Sequence, residues 1–139
     1  MSSTTTSSNQ SESVDLKRLW WYGLLAIMLS VVANNLIGLL TQAIFAVPPI
    51  FMPLSPPFIT MWTIIGTLGA TIVFALLPLR IFQITALIVL LISFIPDIAL
   101  GITNVMPGTS VPAVISLMVM HIATTLICAG LFWWLIRAS

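Results

Sequence analysis

Residues 58–102 read FITMWTIIGTLGATIVFALLPLRIFQITALIVLLISFIPDIALGI, two apolar runs parted by LPLR at 77–80. The only charged side chains in the stretch are Arg80 and Asp97. A helix of about 20 apolar residues crosses a hydrocarbon core about 30 Å thick. Each run is therefore long enough for one crossing, and the short LPLR break requires a tight antiparallel hairpin. On the N-terminal side, AVPPIFMPLSPP at 46–57 holds five of the nine prolines. No helix survives that density, because each proline removes a backbone donor and clashes with the turn before it. Before this loop lies a further uncharged apolar run. On the C-terminal side, GITNVMPGTSVP at 101–112 breaks the chain again ahead of a last apolar run. The reading gives four spans at 19–46, 58–78, 81–102 and 111–136. Barrel strands are excluded: they run about 10 residues with alternating polarity, and these segments are longer and apolar on all faces.

Composition agrees. Of 139 residues, seven are charged (Glu12, Asp15, Lys17, Arg18, Arg80, Asp97, Arg137), 60% are hydrophobic, and mean hydropathy is +1.20. An average soluble chain is about 25% charged. This one has too little polar surface to cover a soluble monomer, no basic face for nucleic acid, and too much apolar content for a disordered chain. The predicted fold class is all-α, a four-helix transmembrane bundle over 19–139, preceded by a disordered cytoplasmic tail over 1–18 whose start, MSSTTTSSNQSES, is Ser/Thr-rich. The first span is nearly twice the length of a signal-peptide core, and AIFAVPP is a weak cleavage site, so it reads as a retained helix. The one cysteine, Cys128, has no intrachain disulfide partner.

Lys17 and Arg18 precede the first span, Arg80 lies between the second and third, and Arg137 follows the fourth; the other two loops carry no Lys or Arg. The positive-inside rule then predicts an N-in/C-in protein, with both termini and the Arg80 turn in the cytoplasm. Trp20, Trp21, Trp133 and Trp134 fall at the cytoplasmic interface and Trp62 near the outer one, as interface anchors.

Ionisable groups inside a span are costly, about 2.5–3.5 kcal/mol at the centre, and mark functional-site candidates. Asp97 is the only acid within the spans and His121 the only histidine. At 1.5 Å per residue, the two differ in depth by about 6–9 Å on straight helices. Pro96 is expected to kink the third helix. Asn34, Asn35, Thr63 and Thr67 fall at similar depth, and with Asp97 and His121 they form a candidate polar or proton site in the outer half, read as a small cavity open to the outside. The competing reading is an interhelical lock. Gly66, Gly69 and Ala70 make a small-residue patch suited to helix packing. No catalytic residues, metal site or cofactor motif is read; Met106, Met118 and Met120 fit ordinary packing.

The segments RLWWYGLLAIMLSVVANNL, GTLGATIVFALL, ITALIVLLISFIPDIAL and LMVMHIATTLICAGL resemble a family of small bacterial four-helix membrane proteins grouped as a domain of unknown function. FIPDI around Asp97 and MHIATT around His121 are the most specific parts. The resemblance implies a bundle in the bacterial inner membrane and no activity. Two functions follow as expectations. One is a small structural or accessory subunit, set in the lipid bilayer with a membrane-protein partner or a second copy, with the polar cluster as a lock. The other is a small transporter or channel-like protein moving a proton or solute by way of Asp97 and His121.

Overall fold

The computed structural model describes residues 16–137. It is built from four helices: α1 (Leu16–Phe45), α2 (Pro56–Leu76), α3 (Leu79–Thr103) and α4 (Val111–Arg137). All four are long and apolar enough to cross a membrane, and their ends lie within about three residues of the expected spans. α1 begins at Leu16, so Lys17 and Arg18 form part of its first turn rather than of a tail. The rest of the expected tail lies outside the described residues. α3 runs unbroken through Pro96, which is exposed on its surface.

Packing orders the helices α2, α1, α4, α3 around the bundle, with α1 and α3 diagonally apart. Consecutive helices α2 and α3 pack against each other only slightly, and their ring contact, Phe74 with Phe82 at 5.2 Å, lies beside the turn that joins them. The expected tight hairpin is thus tight only at its turn. The reason lies in α1. Its buried residues are Leu19, Gly23, Ala26, Ser30, Asn34, Gly38 and Thr41, a stripe of mostly small side chains at intervals of three and four. Without an apolar solvent effect to drive association in lipid, helices pack where small residues let backbones approach. A Cβ on Gly23 would lie 2.9 Å from Thr71 Cγ2, and one on Gly38 2.6 Å from Ile59 Cδ1. α1 therefore takes the buried face of α2 (Ile59, Thr63, Thr67, Thr71, Phe74), and α3, Leu- and Ile-rich all round, buries only Phe82 and Asp97.

Within the chain, a Cβ on Gly66 or Gly69 meets nothing within 4 Å. Ala70 does pack, against the cluster at the termini-bearing end. The small residues that bring helices together are Gly23 and Gly38 on α1 and Gly101 on α3, where a Cβ would meet Val114 Cγ2 at 3.3 Å.

Two apolar layers close the bundle, each drawing on all four helices. At the end carrying both helix termini, Phe132 stacks on Phe74 at 4.5 Å, with Phe82 edge-on to both and Leu19 and Leu135 beside them. At the other end, the proline-rich loop folds back into the bundle. Ala46 turns the chain with φ 50°, and a short 3-10 turn over Met52–Leu54 follows. Phe51 and Leu54 are buried against Ile59, Ala113 and Met120, with Ile37, Leu100 and Leu117 around them. Gln42 Nε2 donates to the Leu54 carbonyl at 2.6 Å, tying the loop to α1. Gly108, at φ +79°, lets the second loop of this end lie over Phe51, whose Cβ would be 3.3 Å from a Cβ at Gly108.

Candidate functional site

Between the two apolar layers lies a polar one. α1 supplies Ser30 and Asn34, α2 Thr63 and Thr67, and α3 Asp97, all buried. α4 adds His121 and Thr124, both partly buried. In lipid these groups have no partner outside the protein, so they turn inward.

Asn34 is the centre of a lock. Its Nδ2 donates to Thr63 Oγ1 on α2 and to Thr124 Oγ1 on α4, both at 2.9 Å. Asn35 sits beside it on α1 and donates from Nδ2 to Thr60 Oγ1 at 3.0 Å and to the Val31 carbonyl at 2.9 Å. Nearer the loop end, Thr41 Oγ1 donates to Ser116 Oγ at 2.8 Å, joining α1 to α4 again. Thr60, Thr124, Ser30, Thr41 and Ser116 were not read from the sequence as site residues. Thr124 follows His121 by three residues and Ser30 precedes Asn34 by four, and that helical spacing was the available signal.

Asp97 and His121 come together. His121 Nδ1 lies 3.3 Å from Asp97 Oδ2 and 2.8 Å from the carbonyl of Leu117, one turn back on α4. The expected difference in depth is closed by side-chain direction. Side chains on a helix lean toward its N-terminus. α3 and α4 run in opposite directions, so Asp97 and His121 lean toward each other.

The Leu117 carbonyl also settles where the imidazole proton sits. A carbonyl oxygen only accepts, so an Nδ1 lone pair facing it at 2.8 Å would be repelled; Nδ1 carries the hydrogen. Nε2 is left without a protein partner among the described residues. The surroundings of the two side chains differ sharply: the Asp97 side chain is 10% exposed and that of His121 41%. Asn34 Oδ1 and Ser30 Oγ, both buried in this layer, lack a hydrogen-bond partner among the described residues, and Asp97 Oδ2 has only the 3.3 Å contact with His121. Thr67 Oγ1 faces only the Cys128 thiol, a weak partner.

Of the anchors, Trp20, Trp21, Trp133 and Trp134 are exposed near the termini-bearing end, and Trp62 is exposed on the opposite half of α2. Arg137 stacks over the Trp133 ring at 3.8 Å, and Tyr22 meets Trp134 at 5.9 Å. Arg80, in the first turn of α3, lies at this same end with the Leu79 and Phe82 contacts. Lys17, Arg18, Arg80 and Arg137 thus share one end of the bundle, as the span count requires. Among the described residues no three His, Cys, Asp or Glu side chains converge as a metal site would need.

Compared with known proteins, the chain matches no family model, no curated protein and no solved structure. Fold and site together define a four-span membrane protein with a buried polar layer across its core.

Proposed function

We propose that the chain is a small transporter-like protein that passes a proton or small solute at Asp97 with His121. The observation that carries this reading is the contact of a buried acid with a half-exposed imidazole, Asp97 Oδ2 with His121 Nδ1 at 3.3 Å. A lock works by satisfaction, and buried polar groups in folded proteins are nearly always hydrogen-bonded. Asn34 Nδ2 meets that description; the Asp97–His121 contact is longer, at 3.3 Å, and shares its Nδ1 with the Leu117 carbonyl. An acid held this way beside a half-exposed imidazole is arranged to exchange something.

The positive-inside rule places the end bearing Lys17, Arg18, Arg80 and Arg137 in the cytoplasm, so the chain is N-in/C-in. A bacterial inner membrane fits the resemblance drawn above. The accessory-subunit reading is favoured by a different observation, the Asn34 bonds that fasten α1 to α2 and α4. The two separate in one experiment. Purified wild type and Asp97→Asn are reconstituted in vesicles loaded with a pH dye and given a proton gradient. Wild type is expected to dissipate it, and the Asn variant to fall to the level of empty vesicles while keeping its monodisperse elution. Equal rates for the two proteins overturn the reading; a stoichiometric partner retained in mild detergent by both supports the accessory one.

A further inference from the structure

The way into the Asp97–His121 site follows from what surrounds it, and the inference rests on the function proposed above. Along the bundle axis an apolar cluster flanks the layer at each end, Phe74, Phe82 and Phe132 at one and the folded-back loop with Phe51 and Leu54 at the other. A pocket between α1 and α4 at the loop end reaches Thr41 and Ser116. The His121 side chain is 41% exposed, although it shares the inner face of α4 with Cys128, which is 3% exposed.

The exposure comes from the side. α1 lies on the edge of α2 marked by Thr60, which accepts from Asn35, and by Thr71, which meets Gly23. At about 100° per residue, Gly66 falls on the other edge, about 80° from the middle of the buried face, and Gly69 lies about 140° from it, on the back of the helix. Nothing lies within 4 Å of a Cβ on either. With α2 and α3 scarcely packed beyond their turn, the Gly66 edge of α2 is left uncovered near the level of Thr63 and Thr67. That edge faces hydrocarbon, not water.

Whatever enters there must carry an apolar tail that partitions into the bilayer, which excludes small hydrated ions and sugars. Its headgroup must suit what it meets. With the hydrogen on Nδ1, neutral His121 presents an Nε2 lone pair, an acceptor that calls for a donor. Behind it stands the Asp97 carboxylate. α1 and α2 bring the uncharged Ser30, Asn34, Thr63 and Thr67 to the layer, and the other titratable group facing it is the buried Cys128 thiol. Lys17, Arg18, Arg80 and Arg137 all lie at the termini-bearing end of the helices, away from the carboxylate. We propose that the site is entered sideways from the bilayer, between α2 and α3, and binds a membrane-dissolved ammonium whose N–H donates to His121 Nε2 while Asp97 balances its charge.

His121 is the only histidine, so protein labelled with 15N-histidine gives a single imidazole spectrum. Wild type, Gly66→Leu and Asp97→Asn are placed in lipid nanodiscs near pH 7 and titrated with dodecylamine, dodecyltrimethylammonium or methylamine. Dodecylamine is expected to shift the Nε2 resonance of wild type. Gly66→Leu covers that edge and is expected to weaken that response at least about tenfold, with the Nδ1–H signature of the free site unchanged; Asp97→Asn is expected to abolish it. Methylamine, which stays in water, and the trimethylammonium, which has no N–H, are expected to leave Nε2 unmoved. A methylamine shift equal to that of dodecylamine overturns sideways entry, and an equal trimethylammonium shift overturns N–H recognition. A wild type that answers no amine overturns the whole inference, while Asp97-dependent proton flux in the vesicles stands or falls separately.

Discussion

Replacing Asn34 by alanine tests whether the polar layer holds the bundle together. The substitution removes two interhelical hydrogen bonds of 2.9 Å, to Thr63 and to Thr124. Within membranes such bonds average about 0.6 kcal/mol each and reach about 1.7. Two of them give roughly 1–3 kcal/mol of lost stability. The lower half of that range is expected, because the freed threonine hydroxyls can turn back to carbonyls of their own helices, as Thr71 already does to Thr67. The measurement is reversible unfolding in mixed lipid–SDS micelles, followed through the tryptophans. Double-mutant cycles separate the terms: Asn34→Ala with Thr63→Ala and with Thr124→Ala should each show about 0.6 kcal/mol of coupling. Asn34→Ala with Thr60→Ala should show little, since Thr60 bonds to Asn35. Stability within about 0.3 kcal/mol of wild type, with no coupling in either cycle, would refute the lock.

The glycines make a paired prediction. Gly38→Val drives a side chain onto Ile59 and Met120 and should cost about 2 kcal/mol or more by overpacking, whereas Gly69→Val, in open space, should stay within about 0.5 kcal/mol in the same unfolding assay. Topology is tested with single cysteines in a Cys128→Ser background: a membrane-impermeant maleimide applied to intact cells should label Asn104→Cys, in the loop after α3, and should spare Ser2→Cys until the cells are opened. Labelling of Ser2→Cys in intact cells would reverse the N-in/C-in assignment.

The crossings were legible because one physical demand, enough apolar length without charge, acts on each helix separately. The candidate polar residues were legible for the same reason: Asp97 and His121 are too costly in lipid to be incidental. Their meeting was harder to read, since counting residues along straight helices leaves out the opposite lean of side chains on antiparallel helices. The close approach at Gly23 and Gly38 was hard to read, because the stripe of Gly23, Ala26, Ser30, Asn34, Gly38 and Thr41 on α1 is spread over five turns and shows only at helical spacing, while GTLGA at 66–70 forms a compact patch. The role of the prolines was half legible. They end the helix, as read, but nothing in AVPPIFMPLSPP says that Phe51 and Leu54 turn back to plug the bundle.

By itself, the sequence determined a four-span chain, which ends of the spans share a side, and which side chains are out of place in lipid. Those properties are local, set by each segment against water and hydrocarbon. The tertiary structure alone decided that α1, not α3, covers the inner face of α2, that Phe51 and Leu54 fold back into the loop end of the bundle, and that Asp97 and His121 meet. These depend on which faces compete for which, and in a bilayer that competition is won by close backbone approach rather than by apolarity, which every face already has.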